Sequence, residues 1–475
     1  CSTSGNILGW ECIGGLIGGN GYNGKGLARA CFSVADVVGQ YRIGGLVGTN
    51  GERWSVGVVE SCYAAGNVDA TMIAGGLVGH NESTIVTSYS TGEVTGDDRI
   101  GGLIGTNEGS CFLSFWDVNS SGITTSAAGQ AKTTMKMQDV STFRGWGSQE
   151  HWTIEDGNDY PCLTWEGRAG EAIVDSQYAY VGSGISDNPY RIYTAEEFVE
   201  IAYRSADFDK NFILMRDIDL TVVDPNLILP IGNDAFPFCG VFDGDNHTIY
   251  NFHYILESQS YVGVFGCVGP NVTEADKPSG RVMNLNIVNA IVDGSYNVGI
   301  LVGYNRGTIT SCSIQGNCGG IDYVGGLTGF NRGTIEDVHC TGIVDGGWAV
   351  GGLVGYNTGE ITSSSFDGSI DASSTVGGLV GRNQGNIYSC CSRGMVNGGD
   401  SVGGLVGYNP GSIESSYSTC AVTGRSDYIG GLVGSNTGVG DQVAYCYSAG
   451  LVIGGDHTGG LVGATFDKAY NCYWD

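Results

Sequence analysis

A short motif, Gly351-Gly352-Leu353-Val354-Gly355-Tyr356-Asn357-Thr358-Gly359-Glu360-Ile361, recurs from one end of the chain to the other and constrains it more than any other feature. The last Gly of its Gly-Gly-Leu-Val-Gly core stands at Gly303, Gly329, Gly355, Gly381 and Gly407, a strict 26-residue step, with longer steps to Gly434 and Gly463. The same Gly stands at Gly18, Gly48, Gly79 and Gly105, so the array occurs twice. A period of this length marks a repeat architecture in which one unit cannot bury its apolar face alone and must stack on its neighbours.

Within a unit, the segment from Cys446 through Ser448, Gly450 and Val452 alternates small or apolar with polar residues, as a strand with one buried face does. Leu461 and Val462 make a second short strand. Runs this brief, punctuated by Gly, Asn and Asp, exclude helices of ordinary length. The reading is an all-β fold, a right-handed parallel β-solenoid in two tandem modules with short helical capping elements. Stacked turns place identical positions about 4.8 Å apart. Asn305, Asn331, Asn357, Asn383 and Asn409 then form a ladder at one corner, with their amides bonding along the column. Gly307, Gly333, Gly359, Gly385 and Gly411 stand beside them, where a left-handed turn is expected. Ile309, Ile335, Ile361, Ile387 and Ile413 form an apolar core column.

Composition agrees with spaced rather than scattered glycine, since 83 of 475 residues are Gly, more than twice the usual share of roughly 7%. Acids outnumber bases 49 to 21, for a net charge of −28. Such a chain is repelled by nucleic acid and by anionic membrane surfaces. No apolar run approaches the roughly 20 residues that cross a bilayer, and the first residues carry no signal-sequence pattern. The 16 cysteines include no Cys-x-x-Cys pair, which argues against zinc ribbons and thioredoxin-type chemistry.

The Gly-Gly-Leu-Val-Gly-Tyr-Asn motif, with a Cys-Tyr-Ser-x-Gly strand such as Cys446 to Gly450, resembles the GLUG repeat of large bacterial surface proteins and adhesins. The resemblance covers about 1–118 and 262–475. It implies a secreted or cell-surface β-solenoid and does not imply an enzyme. Some GLUG proteins carry a zinc peptidase domain, but His-Glu-x-x-His is missing here. The stretch from Ser114-Phe115-Trp116-Asp117 to Tyr160-Pro161-Cys162-Leu163-Thr164-Trp165 is similar to segments that close such arrays, and Tyr190 to Thr194 to those that open them. The expected organisation is a first array at 1–118, a closing segment and linker at 119–175, an opening segment at 176–261 and a second array at 262–475. Thr194-Ala195-Glu196-Glu197 is a capping box ahead of a short helix carrying Phe198, Ile201 and Ala202. That helix is expected to cover the open end of the second solenoid. A weaker helix is expected near Thr133 to Phe143.

Catalysis on a solenoid needs clustered carboxylates with a partner. Here Asp337, Asp345, Asp367, Asp371 and Glu414 occupy different positions in their units, and the histidines form no constellation. No catalytic residue and no resident cofactor is assigned. Asp217, Asp219 and Asp224, or Asp243, Asp245 and Asn246, offer oxygen ligands of the kind calcium takes, although turn and cap roles fit these residues better. Asn81, Asn119, Asn246 and Asn271 open Asn-x-Ser/Thr sequons. Cys31 with Cys62, and Cys446 with Cys472, share an inward slot that Ser88, Ser364 and Ser416 fill elsewhere, which favours small buried thiols over disulfides.

The outward residue of that strand is aromatic in consecutive units: Phe32, Tyr63, Tyr89 and Phe115, then Tyr417, Tyr447 and Tyr473. Such a stripe stacks on sugar rings or packs a neighbouring chain. Insertions after the Asn corner, Gly21 to Gly26, Gly51 to Gly57 and Thr437 to Asp441, mark one edge for recognition loops. Both ends of the chain fall in mid-turn. The reading is therefore an extracellular or cell-surface structural protein, an adhesin or a filament or stalk subunit. Its partners would be copies of itself, head-to-tail or lateral, and surface glycans or other cells, without nucleic acid or a membrane span. A carbohydrate-binding surface module is the first alternative and a polysaccharide-degrading β-helix enzyme the second.

Overall fold

The computed structural model describes residues 1–22, 24–51, 56–147, 151–174, 180–270, 279–437, 443–465 and 469–475. The chain divides into two compact units, Cys1–Gln177 with Tyr203–Ala206, and Tyr178–Ala202 with Asp207–Asp475. Each unit is a parallel β-solenoid.

In the second unit the motif strands Val302–Asn305, Thr328–Asn331, Val354–Asn357, Val380–Asn383 and Val406–Asn409 are consecutive members of one eight-stranded sheet. They pair parallel with Asn opposite Asn. The rest of each turn belongs to a second parallel sheet that bends around the coil. Motif residues Leu327, Leu353, Leu379 and Leu405 and the column Ile309, Ile335, Ile361, Ile387 and Ile413 are buried in one continuous core. The first unit repeats this plan, with Val47, Val78 and Ile104 in register and parallel strands from Ser2–Thr3 through Phe115–Asp117. Its 3-stranded antiparallel sheet, Trp152–Ile154 with Cys162–Leu163 and Glu171–Ala172, lies in the closing segment.

The corners differ from expectation. Gly307, Gly333, Gly359, Gly385 and Gly411 are not among the residues with positive φ. They are glycine because turns touch there: a Cβ on Gly359 would lie 2.1 Å from the Gly333 carbonyl oxygen, and one on Gly385 2.0 Å from that of Gly359. The left-handed corners fall on other residue types. Ser311, Asp337, Ser363, Ser389 and Ser415 have φ between 48° and 55°, and Tyr323, Ala349, Thr375 and Ser401 between 53° and 57°. This conformation costs an L-residue roughly 1–2 kcal/mol, so it persists because stacked turns on both sides hold it.

Those corners explain the small inward slot. The residue after the corner turns its amide away from the strand ladder, and Ser or Cys one turn on supplies the bond. The Val338 amide donates to Ser364 Oγ (3.2 Å) and the Cys390 amide to Ser416 Oγ (3.0 Å). Where Cys occupies the slot, its thiol bonds a carbonyl, as Cys390 does with Tyr388 (3.2 Å) and Cys446 with Ala444 (3.1 Å). Both are free thiols, and burial pushes each up to about 12. They pack as small hydrogen-bonding residues and are unreactive at neutral pH.

The helix Ala195–Glu200 begins at a complete capping box, the Glu197 amide donating to Thr194 Oγ1 (3.2 Å). Its Ala195, Phe198 and Val199 join the core of the second unit. The helix expected near Thr133 to Phe143 is instead two pieces, Thr134–Met137 and a 3-10 turn at Val140–Phe143, because Asp139 leaves the helix and caps Ser141 (3.0 Å).

Candidate functional site

The first candidate surface is the aromatic stripe, and the two units treat it differently. In the first unit Phe32 stacks on Tyr63 (4.8 Å between ring centres, planes within 10°) and Tyr63 on Tyr89 (5.0 Å, 8°). The stack is not open to solvent. Tyr63, Tyr89 and Phe115 are at most 5% exposed, in one cluster with Phe143, Trp146 and Trp152 of the closing segment. Trp165 lies over Phe32 (5.5 Å), and its indole N–H donates to the Ala30 carbonyl (2.9 Å). The Tyr89 hydroxyl donates to the Pro161 carbonyl (2.6 Å) and the Tyr63 hydroxyl to Glu166 (3.1 Å). This half of the stripe seats the chain's own closing segment, since flat rings at one spacing give the indoles a large apolar surface to bury.

In the second unit the stripe stays open. Tyr417 and Tyr447 stack face to face (4.8 Å, 3°), and Tyr473 pairs in register with Tyr447. Tyr447 is 44% and Tyr473 73% exposed. Arg393 donates to the Tyr417 hydroxyl (3.0 Å).

A second aromatic column was missed from the sequence. The residue between Gly and Asn of the motif is Tyr304, Phe330, Tyr356, Arg382 and Tyr408 in successive turns, and these pair in register on the outer face. Tyr304 meets Phe330 edge-on (4.9 Å) and Phe330 meets Tyr356 (4.6 Å). Tyr323 and Trp348 flank them, 5.2 Å apart. Arg382 stands over Tyr408 (5.0 Å), Tyr356 (5.3 Å) and Trp348 (5.8 Å), and Arg306 over Tyr304 (4.0 Å). The 26-residue step holds this column too, but its position changes between Tyr, Phe and Arg while the Gly and Asn on either side stay constant.

The Asn ladder lies beneath this face. Asn305, Asn331, Asn357 and Asn383 each donate to the next Asn at 2.8 Å, and Asn409 continues to Asn436 at 2.8 Å. Each of Asn331, Asn357 and Asn383 also donates to, and accepts from, the backbone of the Gly two residues on. All are fully buried, which leaves no amide for a ligand. The first unit has the same ladder through Asn20, Asn50, Asn81 and Asn107. Asn81 is therefore sealed from modification despite its sequon, whereas Asn119 and Asn246 are exposed and Asn271 lies outside the described residues.

The proposed calcium ligands serve as caps and turns. Asp219 accepts from the Thr221 amide (3.0 Å), Asp224 from that of Asn226 (2.9 Å), and Asp217 from that of Thr248 (2.9 Å). Asp243 accepts from the Asp245 amide (2.9 Å) and the Asn284 side chain (3.0 Å). Among the described residues, no group of three or more His, Cys, Asp or Glu is placed to hold a metal ion. Register does join His80 to Thr106 (2.7 Å) one turn on, with Glu82 on the other ring nitrogen (2.9 Å). Of the insertions expected to carry recognition loops, Gly51 to Gly57 and Thr437 to Asp441 fall largely on residues outside those described, and Gly21 to Gly26 is described except for Asn23.

Residues 346–371, one full turn of the second unit, match the family model described as the GLUG motif. The chain is 28% identical to halomucin of Haloquadratum walsbyi over 152 residues, 30% of this chain. It is 35% identical over 148 residues, again 30% of the chain, to an Evansella cellulosilytica protein named as a candidate Gly-rich membrane protein. These matches span only 2% and 16% of the relatives' own lengths. Among solved structures, a proposed immunoglobulin A1 protease from Bacteroides ovatus aligns over 62% of this chain and 86% of its own at 21% identity and a TM-score of 0.41. A 26-residue turn with buried Asn, touching Gly and inward Leu thus meets its family description within the stack, and the chain carries the GLUG motif as the turn of a parallel β-solenoid.

Proposed function

We propose that this chain is a rigid structural segment of an extracellular or cell-surface protein that acts in adhesion or in building a stalk or filament. The observation that carries the reading is the unbroken ladder from Asn305 to Asn436, which ties each turn to the next through buried amides. A stack bonded in this way resists bending and holds side-chain columns at a fixed rise, which suits a spacer that presents surfaces away from a cell. The GLUG motif and a relative named as a membrane protein support a surface location. The net charge of −28 supports solubility and disfavours nucleic acid as a partner. In this reading the chain carries out no catalysis and needs no cofactor, and its partners are further copies of itself or surface glycans.

Immunogold labelling of source cells tests the location: label at the envelope is expected, and label confined to the cell interior would overturn the reading. A second reading, a carbohydrate-binding module, is favoured by the open, coplanar Tyr417–Tyr447 pair. Glycan-array binding that survives Tyr417→Ala and Tyr447→Ala in a folded chain would remove that pair as the site.

A further inference from the structure

Arg382 stands out in the outer column of the second unit. It is partly exposed, and among the described residues no carboxylate is paired with it, in a chain where acids outnumber bases 49 to 21. Its Nε is buried and has no acceptor. Arg306, which stands over Tyr304 of that column, is tied to Asp234 at 2.5 Å. Neither acid of the flanking column forms an ion pair with Arg382: Asp322 accepts from the Trp348 amide (3.0 Å), and Asp400 keeps one buried oxygen without a donor. Tyr356 and Tyr408 flank the guanidinium, so an anion would meet its planar fork of donors between two rings.

We propose that the column Tyr304, Phe330, Tyr356, Arg382 and Tyr408, with Trp348 beside it, binds an acidic polysaccharide. Sugar rings would lie on the aromatic faces, and a uronate carboxylate or a sulfate ester would bridge the two terminal nitrogens of Arg382. The backbone argues for a polysaccharide over an acidic peptide. Strand Val354–Asn357 is paired on one side with Thr328–Asn331 and on the other with Val380–Asn383, so the face has no free main-chain groups on which a peptide strand could add. What it does offer is a column of rings that meet edge to face from Tyr304 through Phe330 to Tyr356 and resume at Tyr408 beyond Arg382, an apolar surface that a chain of sugar rings can follow. This site is separate from the Tyr417–Tyr447 pair.

In about 0.15 M salt, where exposed charges are screened beyond about 8 Å and the net charge of −28 no longer repels polyanions at long range, isothermal titration of the full chain with polygalacturonate, heparin, dextran and poly-glutamate tests the proposal. Binding to polygalacturonate or heparin is expected, with the better of the two telling carboxylate from sulfate, and none to dextran. Arg382→Gln should weaken that binding about tenfold or more, and Arg382→Lys, which keeps the charge but loses the fork, severalfold. Tyr356→Ala should weaken it too, with the circular dichroism of each variant unchanged. If Arg382→Gln fails to fold, the Lys variant carries the test. Blank titrations with both acidic polysaccharides, equal binding of dextran, or full affinity in folded Arg382→Gln or Arg382→Lys protein would each overturn the proposal. Arg382-dependent binding of poly-glutamate at equal strength would transfer the site to acidic peptides and overturn it as well.

Discussion

At the scale of single residues, two positions in each turn carry most of the specificity. Asn357 makes four bonds with its side chain: it donates to Asn383 and to the Gly359 carbonyl, and accepts from Asn331 and the Gly359 amide. Removing it leaves buried partners without bonds, so Asn357→Ala is expected to destabilise the second unit by about 3 kcal/mol, read as a lower urea midpoint. Gly359 is constrained by contact rather than by its dihedrals. A Cβ there meets the Gly333 carbonyl at 2.1 Å, and backbone cannot step aside, so Gly359→Ala should cost as much or more. Gly24 meets nothing within 4 Å, and Gly24→Ala is expected to stay within about 0.5 kcal/mol of the parent in the same titration. The sequence showed that both columns exist. It did not show which physical cause demanded glycine, because a tight approach and a left-handed dihedral select the same residue.

At the scale of elements, the closing segment of the first unit is held by tyrosine hydroxyls as well as by rings. Burial, and then the hydrogen bond to Asp117 (2.6 Å), push Tyr160 up to about 12, and burial moves Tyr63 and Tyr89 in the same direction. An unfolded tyrosine titrates near 10. These groups are raised in the folded state, so the stability they lend is complete below pH 10 and is lost as pH climbs towards 12 and above. Tryptophan fluorescence from Trp146 and Trp152, both fully buried, should therefore shift to the red across that window, together with tyrosinate absorbance. A spectrum unchanged beyond pH 12 would show that the hydroxyls do not hold the segment. The aromatic stripe itself was legible as a period in the sequence. That half of it is a seat for another part of the same chain was not, since the Trp residues that cover it lie at irregular spacings outside the repeat.

At the scale of the whole molecule, the repeat makes length a quantised variable. Deleting residues 352–377 joins Gly351 to Gly378 and removes one 26-residue turn, so Asn331 comes to face Asn383. The shortened chain is expected to keep its circular dichroism and to melt cooperatively, because each turn contacts only its neighbours. A deletion of half that length puts every inward side chain out of register and should abolish folding, measured in the same way. If both deletions melt alike, the turn is not the unit of assembly.

The sequence by itself determined the turn. Period, Asn corner, apolar columns and capping box are local or strictly periodic, and stacking copies each local choice along the axis, so a reader of the spacing recovers the solenoid. Tertiary structure alone decided which columns stay open. Phe32, Tyr63 and Tyr89 are covered while Tyr417 and Tyr447 are not, although the repeat writes all of them the same way. It also decided that Ser and Tyr take the left-handed corners and that Arg382 comes to stand among three rings without a carboxylate. Burial and charge pairing depend on what lies beside a column, and a period along the chain specifies only what lies above and below it.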